Sequence, residues 1–425
     1  MQATHDQDNS KKARRGDHSS RLWPYGNPTA AKGLVFLQRH GYRLTVCAAF
    51  FICFFVLYSY SQRQTSWFIY WFDDWVFYAD SSGSYDHMRE ISFDGNMWRH
   101  PLYPLIVAPL VSGIKAVFGF ANRQAAKVVV ALLAALNVAL FFTLFHDCFK
   151  EKIAGLVFTG LYGVLFSNLV FFSIPETYSL ANVGIFVFFI LIIRFRTDLT
   201  KRRAIILGVA SGTGALVNPP LGLLLFSLYA LSLRRLAWRQ GLHRCFWASL
   251  VALLVYFGAN FLLFGLEYIE KSQKLAGQWA TIANFLEPAN WLNVGVSFFV
   301  YAVISPLDEL QRSIGLKDFS GYFQAPARTL LFVVFTFYLA FAMIRLARRG
   351  VGDAALLAAA WLAALSVFHL YFNPREALLY SCQALGPFML ILGQVFADIS
   401  WKWKGLVLGI FTVALGYANF KCLMG

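Results

Sequence analysis

Between residues 66 and 110 the chain sets six carboxylates, Asp73, Asp74, Asp80, Asp86, Glu90 and Asp94, among or just after the rings of Trp67, Phe68, Tyr70, Trp71, Phe72, Trp75, Phe77 and Tyr78. Such an aromatic band marks a membrane–water interface, where carboxylates are costly unless hydrated, paired or used. A carboxylate held beside a hydroxyl can take its proton as that oxygen attacks, an effect of about 10²- to 10⁴-fold. Glu90 and Asp94 read as hydrated acids. Asp80 is the first candidate for the base, and its neighbours Asp73 and Asp74 leave the assignment open. Cations that could meet a phosphate are Arg99, His100, Arg328 and Arg375, because a guanidinium fork binds phosphate bidentately.

Each of these residues also has a structural role available. Arg328 at a helix end can extend into headgroups, and His100 can cap a proline-led helix. Glu176 follows Pro175, where the helix macrodipole alone favours an acid. Arg375 follows Asn373-Pro374; the proline interrupts helix and sets Arg375 on a short turn. Asn218-Pro219-Pro220 reads as a turn between two spans, and Lys271 and Lys274 share one helical face.

The elements that must position these groups are apolar helices. Apolar residues make up 58% of the 425-residue chain and charged residues 14%, against about 25% charged in soluble domains, and the mean hydropathy is +0.55. A water-soluble fold is thereby excluded. The net charge of +15 gathers in short runs, Lys11 to Arg43, Arg194 to Arg203, Arg234 to Arg244 and Arg345 to Arg349. Basic runs between apolar stretches follow the positive-inside rule rather than a nucleic-acid footprint. Cys47, Cys53, Cys148, Cys245, Cys382 and Cys422 show no paired spacing, so neither a zinc site nor a disulfide framework is expected.

A bilayer core of about 30 Å needs about 20 apolar residues per helix. The expected fold is all-α, a polytopic bundle of about 11 spans, near residues 44–62, 125–146, 153–172, 178–193, 204–218, 219–233, 245–264, 327–344, 351–372, 377–397 and 405–421. Residues 1–43 are expected to form a disordered basic cytoplasmic tail ahead of an uncleaved anchor, and 44–425 a single membrane domain. With the tail inside and Arg194 to Arg203 inside again, an odd number of crossings lies between them. The weakest apolar stretch, 101–119, carries three prolines and is assigned as non-crossing, which membrane proteins tolerate where backbone packs on protein. The first outer loop then spans about 63–124 and a later one about 265–326, with 291–305 a second surface or re-entrant helix. Both loops are too long for simple connections.

Three motifs in order carry a resemblance: Asp80 with Tyr85 and then His100-Pro-Leu-Tyr-Pro104 in the first loop, Phe171 to Leu180 (FFSIPETYSL), and Asn373 to Tyr380 (NPREALLY). Together they resemble the GT-C membrane glycosyltransferases, nearest the protein O-mannosyltransferase and aminoarabinose transferase branch. The resemblance implies transfer of a sugar from a polyprenyl-phosphate carrier to a lipid, glycan or protein acceptor at the outer membrane face. It implies Asp80, which would activate the acceptor, and Glu176 as the catalytic acids, and Tyr85, His100 and Arg375 as substrate-binding groups; Arg99 and Arg328 join these as further cations for the phosphate, and Asp74, beside Asp80, as a departure from the family pattern that adds a candidate. Glu176 stands alone beside Thr177, so a divalent metal is not indicated and no cofactor is expected. Competing expectations are a polyprenol-linked polymerase or ligase centred on His or Arg, and a transporter or flippase. The latter calls for acids at mid-membrane and inverted repeats, whereas here the acids gather at span ends. The outer loops lack Asn-X-Ser/Thr acceptor sites, which favours a bacterial inner membrane.

Overall fold

The computed structural model describes residues 28–64, 81–95, 97–279, 282–305, 323, 325–396 and 404–424. Residues 1–46 and 47–425 are separate compact units; in the first, residues 28–46 are helical. All regular structure among the described residues is helical: α1 (Pro28–Gln64), α2 (Ser81–Arg89), α3 (Leu102–Phe118), α4 (Asn122–Phe149), α5 (Lys152–Val164), α6 (Phe166–Phe171), α7 (Tyr178–Phe195), α8 (Lys201–Val217), α9 (Leu225–Arg235), α10 (Trp238–Phe264), α11 (Glu267–Trp279), α12 (Ala283–Leu286), α13 (Pro288–Val296), α14 (Pro326–Arg349), α15 (Asp353–Phe372), α16 (Ser381–Phe396) and α17 (Gly409–Met424). Among the described residues seven stretches are long and apolar enough to cross a membrane: Gly41–Gln62 within α1, helices α4, α7, α10, α14 and α15, and Gly405–Leu423 at the C-terminal end. The chain is a multi-pass membrane protein by this measure. Helix α3 falls short of that length, ends at Gly119 in the left-handed region, and covers the stretch expected not to cross.

Where packing is closest, small residues set it. The backbone of α10 lies so near α8 that a Cβ on Gly208 would stand 2.3 Å from the Ala248 carbonyl oxygen, and one on Gly212 would stand 2.7 Å from that of Ala252. Glycines four apart let two backbones approach, the usual basis of helix association in lipid. Aromatic rings fill the interior between α4 and its neighbours, with Phe141 stacked on Tyr162 at 4.5 Å and Phe145 on Phe158 at 5.0 Å.

The stretch expected to be one span at 153–172 is broken at Leu165, whose backbone is extended. The groups released there are paired. Phe166 and Ser167 donate their N–H groups to the Val303 and Ala302 carbonyls. The Asn419 amide of α17 donates to the Val164 and Val303 carbonyls at 3.0 and 2.8 Å, and its Oδ1 accepts the Ser305 N–H at 2.9 Å. Non-helical backbone at membrane depth persists only when satisfied in this way.

One end of the bundle carries the basic connections. There Asp147, at the end of α4, pairs with Arg194 at 3.0 Å, and Asp353 at the start of α15 pairs with Arg234 at 3.6 Å and with Arg235. The opposite ends of α7, α8 and α15 carry the motifs described next.

Candidate functional site

The His100 to Pro104 element is built from a short 3-10 turn, Met97–Arg99, leading into α3. Met97 and Trp98 are buried, and the Trp98 ring meets Tyr268 of α11 edge-on at 5.8 Å. Tyr268 in turn donates to the Tyr256 hydroxyl of α10 at 2.8 Å. His100 Nδ1 lies 2.8 Å from the Val217 carbonyl oxygen at the end of α8. A carbonyl only accepts, so Nδ1 carries the proton and Nε2 is the acceptor. Burial, helped by the Arg99 charge, pulls the imidazole down to about 4 although the Val217 bond opposes this. His100 is thus neutral at pH 7. The Arg99 guanidinium lies 5.7 Å from the centre of the Trp98 ring.

Tyr103, one turn on, is buried, and its hydroxyl titrates well above the ordinary tyrosine range, first from burial and then from the negative charge of Glu176. Glu176 sits in the turn between α6 and α7, 6% exposed, its Oε2 accepting the Thr177 N–H at 2.9 Å. This places it ahead of α7, whose N-cap is Thr177, rather than in the helix's first turn as its position after Pro175 suggested. The Tyr178 hydroxyl next to it is within the electrostatic reach of Glu176, Tyr380 and Glu376.

Tyr380 belongs to the third motif. Its ring lies 5.5 Å from Tyr178, edge to face, and 4.4 Å from His369 of α15. The turn that carries it is tied to its surroundings: Asn373 donates its N–H to the His369 carbonyl, and Asn293 of α13 donates to the Pro374 carbonyl at 2.8 Å. Arg375 lies on this 3-10 turn, Pro374–Glu376; its side chain is outside the described residues.

Three stretches 70 or more residues apart in sequence thus come within electrostatic range of one another: Tyr103 from the first feels the charge of Glu176 from the second, and Tyr178 of the second feels Glu376 and touches the Tyr380 ring of the third. Asp80 and Asp74, with Asp73, lie outside the described residues. Tyr85 is half-buried on α2, with the Arg89 guanidinium 5.9 Å from its ring centre. Glu90 and Asp94 are exposed, the position of hydrated acids. Arg328, in the first turn of α14, is buried at 8% exposure, which an arginine extended into headgroups would not be. Lys271 pairs with Glu267 at 2.8 Å.

The residues that sequence reasoning passed over are Tyr103, Tyr178, Tyr380, His369 and His87. The three tyrosines stand inside the three motifs, so the signal was present in each. His87 is buried against Ser92, its Nδ1 2.8 Å from the serine hydroxyl, and burial lowers its proton affinity.

Beside this end of the bundle runs a half-open apolar groove of about 440 Å³ between α8, α9 and α10, lined among others by Gly212, Pro219, Phe226, Tyr229, Leu253 and Phe257. Its lining includes Pro219, two residues beyond the carbonyl that holds His100. Among the described residues no group of three or more His, Cys, Asp or Glu side chains could hold a metal ion. No family model matches the chain, and no curated protein matches it.

Proposed function

We propose that the chain is an integral membrane glycosyltransferase of GT-C type. It moves a sugar from a polyprenyl-phosphate carrier to a lipid, glycan or protein acceptor at the outer face of a bacterial inner membrane. The observation that supports this best is the meeting of Tyr103, Glu176 and the turn bearing Arg375 at one end of the bundle. A carboxylate, a cation-bearing turn and buried tyrosines at a span end are what transfer from a phosphate leaving group requires. The acceptor hydroxyl attacks the anomeric carbon, the bond to the phosphate oxygen breaks, and the acceptor proton passes to a carboxylate. Asp80 is the assigned base and Glu176 the second acid. Arg375 and Arg99 are assigned to the departing phosphate, and Tyr85, Asp74, Arg328 and His100 complete the substrate-binding set; His100, neutral with its proton held by Val217, serves as a hydrogen-bond acceptor rather than as the cation its residue type suggested.

The groove at Pro219 supports a lipid-borne donor, since its lining is apolar and includes Pro219, two residues beyond the carbonyl that holds His100. In this reading the seven long spans are joined by the broken helix α5–α6, by α8, by α9 with its 3-10 entry Pro219–Leu224, and by α16, giving about 11 crossings.

The reading is tested by glycan transfer in membranes carrying Asp80→Asn, with insertion and yield monitored in parallel. Transfer should be lost while the protein accumulates normally, and full transfer would remove Asp80 from the reaction. Binding of a polyprenyl phosphate to Arg375→Ala should weaken at least about tenfold, as loss of a charge-assisted pair implies; unchanged affinity excludes Arg375 from the phosphate site.

A further inference from the structure

Inward of Glu176, the contact region of α4, α7, α15 and α16 holds a set of polar atoms that the protein leaves unpaired. They are Asn137 Oδ1, Ser179 Oγ, Asn182 Oδ1, both amide atoms of Gln383 and both ring nitrogens of His369. None of the five residues is more than 2% exposed. They belong to one neighbourhood. Asn137 donates to the Ser179 carbonyl at 2.7 Å, and Asn182 follows Ser179 on the same face of α7. Asn182 lies against Cys382, which precedes Gln383. The Gln383 carbonyl takes the Trp361 indole N–H at 3.2 Å, and His369 stacks on Tyr380 one turn before Gln383.

Each orphaned buried donor or acceptor carries a desolvation penalty comparable to a lost hydrogen bond, and inside a membrane bundle no bulk solvent relieves it. Native interiors answer such clusters with ordered water. The chemistry of the set selects the same ligand. Asn137, Asn182 and Gln383 offer carbonyl acceptors, while Ser179 and the Gln383 NH₂ offer donors. A cation would leave the donors unmet and an anion the acceptors, whereas water donates and accepts.

We propose that α4, α7, α15 and α16 enclose a buried water-binding site, held by Asn137, Ser179, Asn182, Gln383 and His369. The site does not depend on the transfer reaction proposed above.

Hydroxyl-radical footprinting by X-ray radiolysis of the full-length protein in nanodiscs, read by mass spectrometry, tests it, because radicals generated from a bound water modify the side chains around it. Cys382 and Cys245 are equally buried free thiols and make an internal comparison. Cys382 should be modified at least about tenfold faster than Cys245, with His369 modified alongside it; equal rates for the two cysteines overturn the proposal. In Gln383→Met, or in Asn182→Leu should that variant express better, modification of Cys382 should fall toward the Cys245 rate. Unchanged modification in the folded variants would show that these side chains hold no water and would equally overturn it.

Discussion

His100 Nδ1 and the Val217 carbonyl, 117 positions apart, meet at 2.8 Å and bind the start of α3 to the end of α8. The bond requires a neutral ring with its proton on Nδ1, and burial holds the imidazole near 4 against about 6.5 in an unfolded chain. Below about 6.5 the unfolded state therefore takes up a proton that the folded state refuses. The stability contributed by neutral His100 is complete above that pH and is lost as pH falls from about 6.5 toward 4. Thermal unfolding followed in detergent should give a Tm that declines over this window, and the decline should be shallower in His100→Asn. His87 shifts in the same direction, so the difference between wild type and variant isolates His100. Parallel Tm profiles for the two proteins would contradict the assignment.

Gly208 faces the Ala248 carbonyl so closely that an added Cβ would stand 2.3 Å from its oxygen. Helix α8 can accept that methyl only by moving away from α10, and overpacking of this kind costs about 1–3 kcal/mol. Gly208→Ala should lower Tm clearly. Gly258→Ala serves as the control: nothing lies within 4 Å of its Cβ position, and replacing a mid-helix glycine by alanine there should gain up to about 1 kcal/mol.

Apolar runs were legible as helices because a bilayer demands length and composition rather than a particular tertiary partner, so α4, α7, α10, α14 and α15 fall where the sequence places spans. The short, proline-bearing α3 and the turn at Asn218 were legible for equally local reasons. The break at Leu165 was not, since residues 153–172 read as one continuous apolar run. The amide that pairs the released groups belongs to Asn419, more than 250 positions away. The same limit governs the candidate site. Each motif drew attention to its charged member, yet Tyr178 and Tyr380 make the ring contact between two of the motifs and Tyr103 senses Glu176 from the third, and no spacing within one motif reports a contact made in another. The burial of Arg328 likewise depends on what packs over the first turn of α14.

Asn419 supplies a direct measure of how much that distant stitch stabilises. Asn419→Leu would strip partners from the Ser305 N–H and remove the amide donor to the Val164 and Val303 carbonyls. Each buried group so exposed costs about 1–3 kcal/mol, so the variant should lose several degrees of Tm or fail to accumulate. Tyr417→Leu, two residues earlier on the exposed face of α17, should be indistinguishable from wild type. Equal Tm values for Asn419→Leu and wild type would mean that other groups satisfy the break.

Glu176 separates the structural and chemical accounts of the site most cleanly. Its Oε2 accepts the Thr177 N–H, a service that the glutamine carbonyl oxygen performs nearly as well, so Glu176→Gln should fold with Tm close to wild type. A glutamine cannot receive a proton. If the carboxylate exchanges one with substrate, turnover should fall about 10²- to 10⁴-fold, with donor affinity changed far less. Glu176→Asp, which keeps the charge on a shorter arm, should recover part of the rate. A Glu176→Gln protein with wild-type turnover would leave the residue as the electrostatic partner of Tyr103 and Tyr178 and the acceptor of the Thr177 N–H, and would confine the proton transfer to the first-loop aspartates.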